Sequence, residues 1–244
     1  MSGHSKWNNI KHKKEKTDAA RAKIFTKIGK EMAIAIRAGG PDPAVNGKLR
    51  DLVARAKASN VPNENIERVI KKFSGNNDII YEEITYEGYG PGGVAVIVDS
   101  ATENRNRTAG NIRSYFSKFH GNLGQSGCVS FLFEQKGVIV ILDEDGEINE
   151  DALMERALEA GAADFLADHE EGSVYEIYTD PADLEAVRDA LTAAGYRPES
   201  AAVEKVPGNY VALTDEDDRK YMELLLEKLE EDDDVQAVYH NWER

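Results

Sequence analysis

KGVIVILDEDGEINEDALMERALEAG (136–161), AADFLADHEEGSVYEIYTD (162–180) and PADLEAVRDALTAAGYRPESAAVEKV (181–206) alternate two kinds of periodicity. Gly137–Leu142 is an apolar run of strand length, and Asn149–Ala160 spaces its apolar residues as a helix does. Ala163–Asp168 and Ser173–Thr179 read as strands around Glu170-Glu171-Gly172, Pro181–Ala194 as a helix and Arg197–Lys205 as a strand. The order β-α-β-β-α-β is the split ferredoxin-like motif. It fits within residues 136–206 with short turns.

On either side of this block lie elements that cannot stand alone. Upstream, Ile79–Glu87 and Val94–Ser100 read as strands joined by Gly88-Tyr89-Gly90-Pro91-Gly92-Gly93. Ser100-Ala101-Thr102-Glu103 resembles a capping box opening a helix to about His120, and Val129–Glu134 reads as a strand. Downstream, Thr214–Asp218 caps a helix with Tyr221, Leu224, Leu225 and Leu229 on its apolar face, and Val235–His240 is a last strand. The tail therefore returns to complete the sheet begun at residue 79, with 136–206 inserted. The fold class is α+β. It has three domains: a basic helical one with an N-terminal arm (1–76), a discontinuous ferredoxin-like middle one (77–135 and 207–244), and the inserted ferredoxin-like acidic one (136–206).

Charge divides the chain as sharply. Of 30 Lys+Arg, 17 lie in residues 1–72 with only 7 of the 45 Asp+Glu, a net of +10 on a chain whose total is −15. Such asymmetry reports on partners, and a basic arm on an acidic body points to phosphates at one end. Residues 2–16 are polar and basic, with Trp7 and Ile10 the large apolar groups. Thr17-Asp18 caps a helix to about Ala38 with Ile24, Phe25, Ile28, Met32, Ala35 and Ile36 inward. Asp42-Pro43 opens a second helix (Val45, Leu49, Leu52, Val53, Ala56 inward), and Asn60 and Pro62 a third (Ile66, Val69, Ile70, Phe73 inward).

At about 100° per residue, Lys16, Lys23, Lys27, Lys30 and Arg37 form one stripe opposite the apolar face of the first helix. Its alternatives are an ordinary solvated face and a phosphate-binding face. The lack of interleaved acids and the continuity with the arm favour the second. Arg105 and Arg107 sit where a helix dipole opposes cations, so they either pair with Glu103 or Glu87 or recruit an outside phosphate. Gly88–Gly93 satisfies G-x-G-x-x-G but leads into the strand sequence Val94–Val98, so it fails as a dinucleotide fingerprint. A glycine-rich hairpin loop is the plainer reading, with a close-contact loop kept beside it.

Other chemistries find little support. Cys128 is the single cysteine, read as a small buried hydrophobe; it excludes an internal disulfide and disfavours a thiolate zinc site. His4, His12, His120, His169 and His240 show no metal-ligand spacing, and no catalytic or nucleotide motif is present. The expectation is a non-enzymatic protein without cofactor or metal. No apolar run approaches the ~20 residues needed to span a bilayer and no secretory signal is visible, so the expected compartment is the cytoplasm.

Met-Ser-Gly-His-Ser-Lys-Trp (1–7), Asn-Ile-Lys-His (9–12), Tyr-Glu-Gly-Tyr-Gly-Pro-Gly-Gly (86–93), Thr-Glu-Asn-Arg-Asn-Arg-Thr (102–108) and Val-Tyr-His-Asn (238–241) together closely resemble the YebC family. The resemblance covers nearly the whole chain. It implies three domains and a non-enzymatic role in gene expression, either as a DNA-binding transcriptional regulator or on ribosomes, easing elongation through proline-rich stretches. The contact surfaces it implies are Lys6, Trp7, Lys11, His12, Lys13 and Lys14, and Gly88–Gly93 with Arg105 and Arg107. Trp7 either stacks on an unpaired base or staples the arm to the first helix. DNA and ribosomal RNA both stand as the partner, as do a small-molecule-sensing ferredoxin-like regulator and a protein-interaction scaffold as competing roles.

Overall fold

A computed structural model of the 244-residue chain describes residues 18–75, 78–143, 145–169 and 173–243, with side chains of the first helix described from Lys23 onward. The described chain forms two compact units. One holds residues 18–130 with Thr214–Val238; the other holds Phe131–Leu213 with residues 239–243.

The first unit begins with three helices, α1 (Asp18–Gly39), α2 (Gly47–Ala58) and α3 (Asn63–Phe73). Ile28, Met32, Ala35, Ile36, Leu49, Leu52, Ala56 and Ile66 form their shared core. Each of the larger side chains contributes roughly 1.5–3 kcal/mol by leaving water, and the alanines less. The second helix starts later than Asp42-Pro43 suggests, because Asn46 is the better N-cap. Its Oδ1 accepts from Leu49 N at 3.1 Å, while its amide donates to the Ala35 and Gly40 carbonyls. Residues 42–46 are consequently a turn, and Val45, expected inside, is 79% exposed.

The sheet of this unit has the order β3-β1-β2-β9, formed by β1 (Glu82–Tyr89), β2 (Ala95–Thr102), β3 (Asn122–Leu123) and β9 (Val235–His240). The strand after residue 234 does return to this sheet, beside β2. Helix α4 (Arg105–Lys118) follows β2, and α7 (Glu216–Glu231) precedes β9. Ser100–Thr102, read above as the start of a cap, belongs instead to β2. The cap is Asn104, whose Oδ1 accepts from Arg107 N, with Thr102 Oγ1 accepting from Asn104 N. Pro91–Gly93 is a 3-10 turn between β1 and β2.

In the second unit, β4 (Phe133–Asp143), β5 (Asp164–Asp168), β6 (Ser173–Thr179) and β7 (Pro198–Pro207) form an antiparallel sheet of order β5-β6-β4-β7. Helices α5 (Glu150–Glu159) and α6 (Leu184–Ala193) complete the β-α-β-β-α-β order. One face carries the core of Ile139, Ile141, Leu153, Tyr175, Ile177 and Leu191. The separate strands expected at 129–134 and 137–142 are one. Ser130–Leu132 is a 3-10 turn, and β4 runs unbroken from Phe133 because β7 pairs with it from Pro207 onward. A short parallel pair, β8 (Val211–Ala212) with β10 (Trp242–Glu243), lies in the same unit.

Candidate nucleic-acid interface

The lysine stripe of α1 is where sequence and structure part. Lys23 Nζ donates to the Glu231 carbonyl at 3.1 Å, Lys27 Nζ to the Glu230 carbonyl at 2.9 Å, and Lys30 Nζ to the Asp233 carbonyl at 2.8 Å. The first two carbonyls end α7, where unpaired acceptors and the negative pole of the helix dipole favour cations, and the third lies in the turn just beyond it. Three members of the stripe thus meet backbone more than 200 residues away, Lys27 and Lys30 half-buried there and Lys23 still exposed. Lys16 and the arm residues Lys6, Trp7, Lys11, His12, Lys13 and Lys14 lie outside the described residues. Arg37 is exposed and lines a cleft of about 380 Å³ with Phe73, Asp78 and Tyr81.

At the centre of the docked face lies Asp234, 5% exposed. Its carboxylate accepts from Lys30 Nζ (2.5 Å), Arg107 Nη2 (2.8 Å), Thr108 Oγ1 (2.8 Å) and Thr102 Oγ1 (3.2 Å). Burial pushes its pKa up, but the hydrogen bonds from Lys30, Arg107 and Thr108 outweigh burial and bring it down to about 2. Nearby, the Asp232 carboxylate accepts from Tyr115 Oη at 2.9 Å, and burial first, then this bond, push the Tyr115 phenol up to about 12.

A depressed carboxyl stabilises the fold fully above its unfolded value, here 3.8, and loses that contribution as pH falls through the folded value. The first unit is therefore expected to lose on the order of 2 kcal/mol as pH drops from about 4 to about 2. Urea midpoints across this range check it, with Asp234→Asn flattening the dependence.

Arg107 thus pairs internally, with Asp234 and at 3.9 Å with Glu103, whereas Arg105 is exposed. Glu87, the other partner considered, is taken by backbone. It accepts from the N–H groups of Gly127, Val129 and Ser130, which offset its burial and lower its pKa. These bonds fold the turn that carries Cys128, which is half-buried rather than fully so, its thiol pushed up by burial and by Glu87.

The glycine loop divides into two roles. A Cβ on Gly88 would lie 2.6 Å from the Asn122 carbonyl oxygen, and one on Gly90 2.7 Å from Met222 Sδ, so these two glycines serve packing. Gly92 and Gly93 are exposed at left-handed φ of 62° and 82°, and Tyr89 is partly exposed with its hydroxyl on the Cys128 carbonyl. Only this tip faces solvent. Among the described residues, no group of three or more His, Cys, Asp or Glu could hold a metal ion, and no helix is long and apolar enough to cross a membrane.

Sequence reasoning missed Asp234, Thr102 and Thr108. Asp232-Asp233-Asp234 reads as an acidic turn, and nothing local reveals which cations it meets.

The architecture defines a class of α+β protein: three helices on a sheet that Val235–His240 completes, and a β-α-β-β-α-β unit whose sequence is inserted before that last long strand. The chain belongs to the TACO1/YebC family. Residues 5–76 match the TACO1/YebC protein N-terminal domain and residues 81–242 the TACO1/YebC second and third domain. A relative from Acetivibrio thermocellus is 57% identical over 243 residues, covering 99% of both chains, and one from Agathobacter rectalis 56% over all of both. Each is named a probable transcriptional regulatory protein. The crystal structure of a conserved hypothetical protein, Aq1575, from Aquifex aeolicus is similar at a TM-score of 0.83 and 45% identity, over 94% of this chain and 93% of that one.

Proposed function

We propose that this protein is a non-enzymatic, cytoplasmic regulator of gene expression that binds nucleic acid through its phosphates. The carrying observation is charge: a net of +10 in residues 1–72 of a chain whose total is −15. Lys23, Lys27, Lys30 and Arg107 act in this reading as the lock between α1, α4 and α7. Phosphate contact falls to the arm residues Lys6, Lys11, Lys13 and Lys14 and to exposed Arg37 and Arg105. The names carried by the relatives support a regulatory role. A transcriptional regulator on DNA and a translation factor on ribosomal RNA, easing elongation through proline-rich stretches, are the two settings of the same chemistry.

Fluorescence anisotropy of the full chain with duplex DNA and duplex RNA, titrated with salt, tests the proposal. Binding is expected to weaken steeply, each neutralised phosphate adding about 0.7–0.9 to the log–log slope. The double variant Lys13→Glu/Lys14→Glu should weaken it further and flatten the slope. Absent or salt-insensitive binding to both duplexes would discard the reading.

A further inference from the structure

Between the last turns of α1 and the segment leading from α3 to β1 opens a cleft of about 380 Å³, a size in the range of small-molecule sites. On α1, Ala33, Ile34 and Arg37 line it, spaced one turn apart on a single face. The other wall is Phe73, at the end of α3, with Asp78, Ile79 and Tyr81 on the way to β1.

This second wall is held from behind. The Phe73 and Tyr81 rings pair at 6.1 Å, and Lys30, itself bonded to Asp234, lies over the Tyr81 ring at 5.7 Å. The cleft therefore leans on the same charged hub that ties α1 to the sheet.

Two opposite charges border the apolar space. Arg37 sits in the last turn of α1, where the helix dipole favours a cation, and Asp78 supplies a carboxylate. Both are exposed, and neither makes a hydrogen bond or ion pair with a described residue. Elsewhere in this unit cations meet carboxylates directly, as Arg55 does Glu31 and Lys48 does Glu83. Arg37 and Asp78 share one cleft without meeting.

That combination selects its occupant. A lone carboxylate in the cleft would meet Asp78 as well as Arg37, and a lone amine would meet Arg37 as well as Asp78. A small molecule with both charges on one carbon, and an apolar group attached, answers all three features. We propose that the cleft binds a free α-amino acid with an apolar side chain. Its carboxylate accepts from the Arg37 guanidinium, its ammonium donates to Asp78, and its side chain lies against Ile34, Phe73 and Ile79. A residue inside a peptide carries neither charge, so the site distinguishes the free molecule. Filled, the cleft draws Arg37 away from the phosphate contacts proposed above; the inference does not otherwise depend on that reading.

Two-dimensional NMR of the isotope-labelled full chain, titrated with L-phenylalanine and L-leucine, tests it. Saturable shifts are expected at the amides of Ile34, Arg37, Asp78 and Ile79. N-acetyl-L-phenylalanine lacks the ammonium and L-phenylalaninamide the carboxylate. Each should bind about tenfold more weakly than L-phenylalanine, the scale of a hydrogen bond to a charged group. Arg37→Gln should weaken L-phenylalanine about tenfold yet leave the amide nearly unchanged, and Asp78→Asn should act likewise on the free and acetylated forms. Neither side chain is paired within the protein, so both variants should melt as wild type does. No saturable shift with either amino acid overturns the inference. So does binding that is equal for free and blocked ligands, or indifferent to both variants. None of these results alters the salt-dependent anisotropy expected with duplexes, so the nucleic-acid reading stands or falls separately.

Discussion

Asp234→Ala is expected to cost the first unit about 3 kcal/mol, the scale for removing one partner from a buried, hydrogen-bonded charge pair. Lys30, with its side chain 11% exposed, would lose its carboxylate, and the hydroxyls of Thr102 and Thr108 would lose an acceptor. Arg107 is about half exposed and recovers water, so its share of the loss is small. Asp234→Asn retains shape and some hydrogen bonding and should fall between wild type and alanine. Urea unfolding followed by far-UV circular dichroism reads the effect, since most of the described helices lie in this unit. A loss below 1 kcal/mol for Asp234→Ala would mean that the Asp233 carbonyl holds Lys30 without it.

Gly88→Ala should be nearly as damaging, by about 2–3 kcal/mol, at the upper end of overpacking costs. The added methyl would sit 2.6 Å from the Asn122 carbonyl oxygen, 2.9 Å from Phe116 and 3.1 Å from the Leu123 Cα. Two of these atoms are backbone of β3, which would have to leave its pairing with β1 at Gly88 and Tyr89. Gly93→Ala is the contrast. It meets nothing within 4 Å but must hold a φ of +82°, at a cost of roughly 1–2 kcal/mol. Equal losses for the two would show that β3 yields easily. A selective effect of Gly93→Ala on nucleic-acid binding would mark the loop tip as a contact.

The β-α-β-β-α-β unit was legible because its information is local. Apolar runs such as Val138–Leu142 and helical spacing in Asn149–Ala160 specify elements, and short turns leave little choice of neighbour. The return of Val235–His240 was legible by the same reasoning, since a lone terminal strand needs a sheet. Boundaries failed where capping competed. Asn46 and Asn104, whose side chains reach back to their helices, displaced the starts expected at Asp42-Pro43 and Ser100. The two strands expected at 129–142 merged because β7 was long enough to pair with both.

The sequence by itself determined the elements, the family and the separation of a basic first third from an acidic remainder. All three follow from composition and short-range pattern. Which of those cations remain available was decided only by tertiary structure. The acceptors for Lys23 and Lys27 are carbonyls at the end of α7 and that for Lys30 is the Asp233 carbonyl just past it, and every helix ends in unpaired carbonyls of its own. Only the path of the chain, closing the first sheet with its last long strand, brings this particular helix end and Asp234 against α1 and leaves Arg105 and Arg113 facing water.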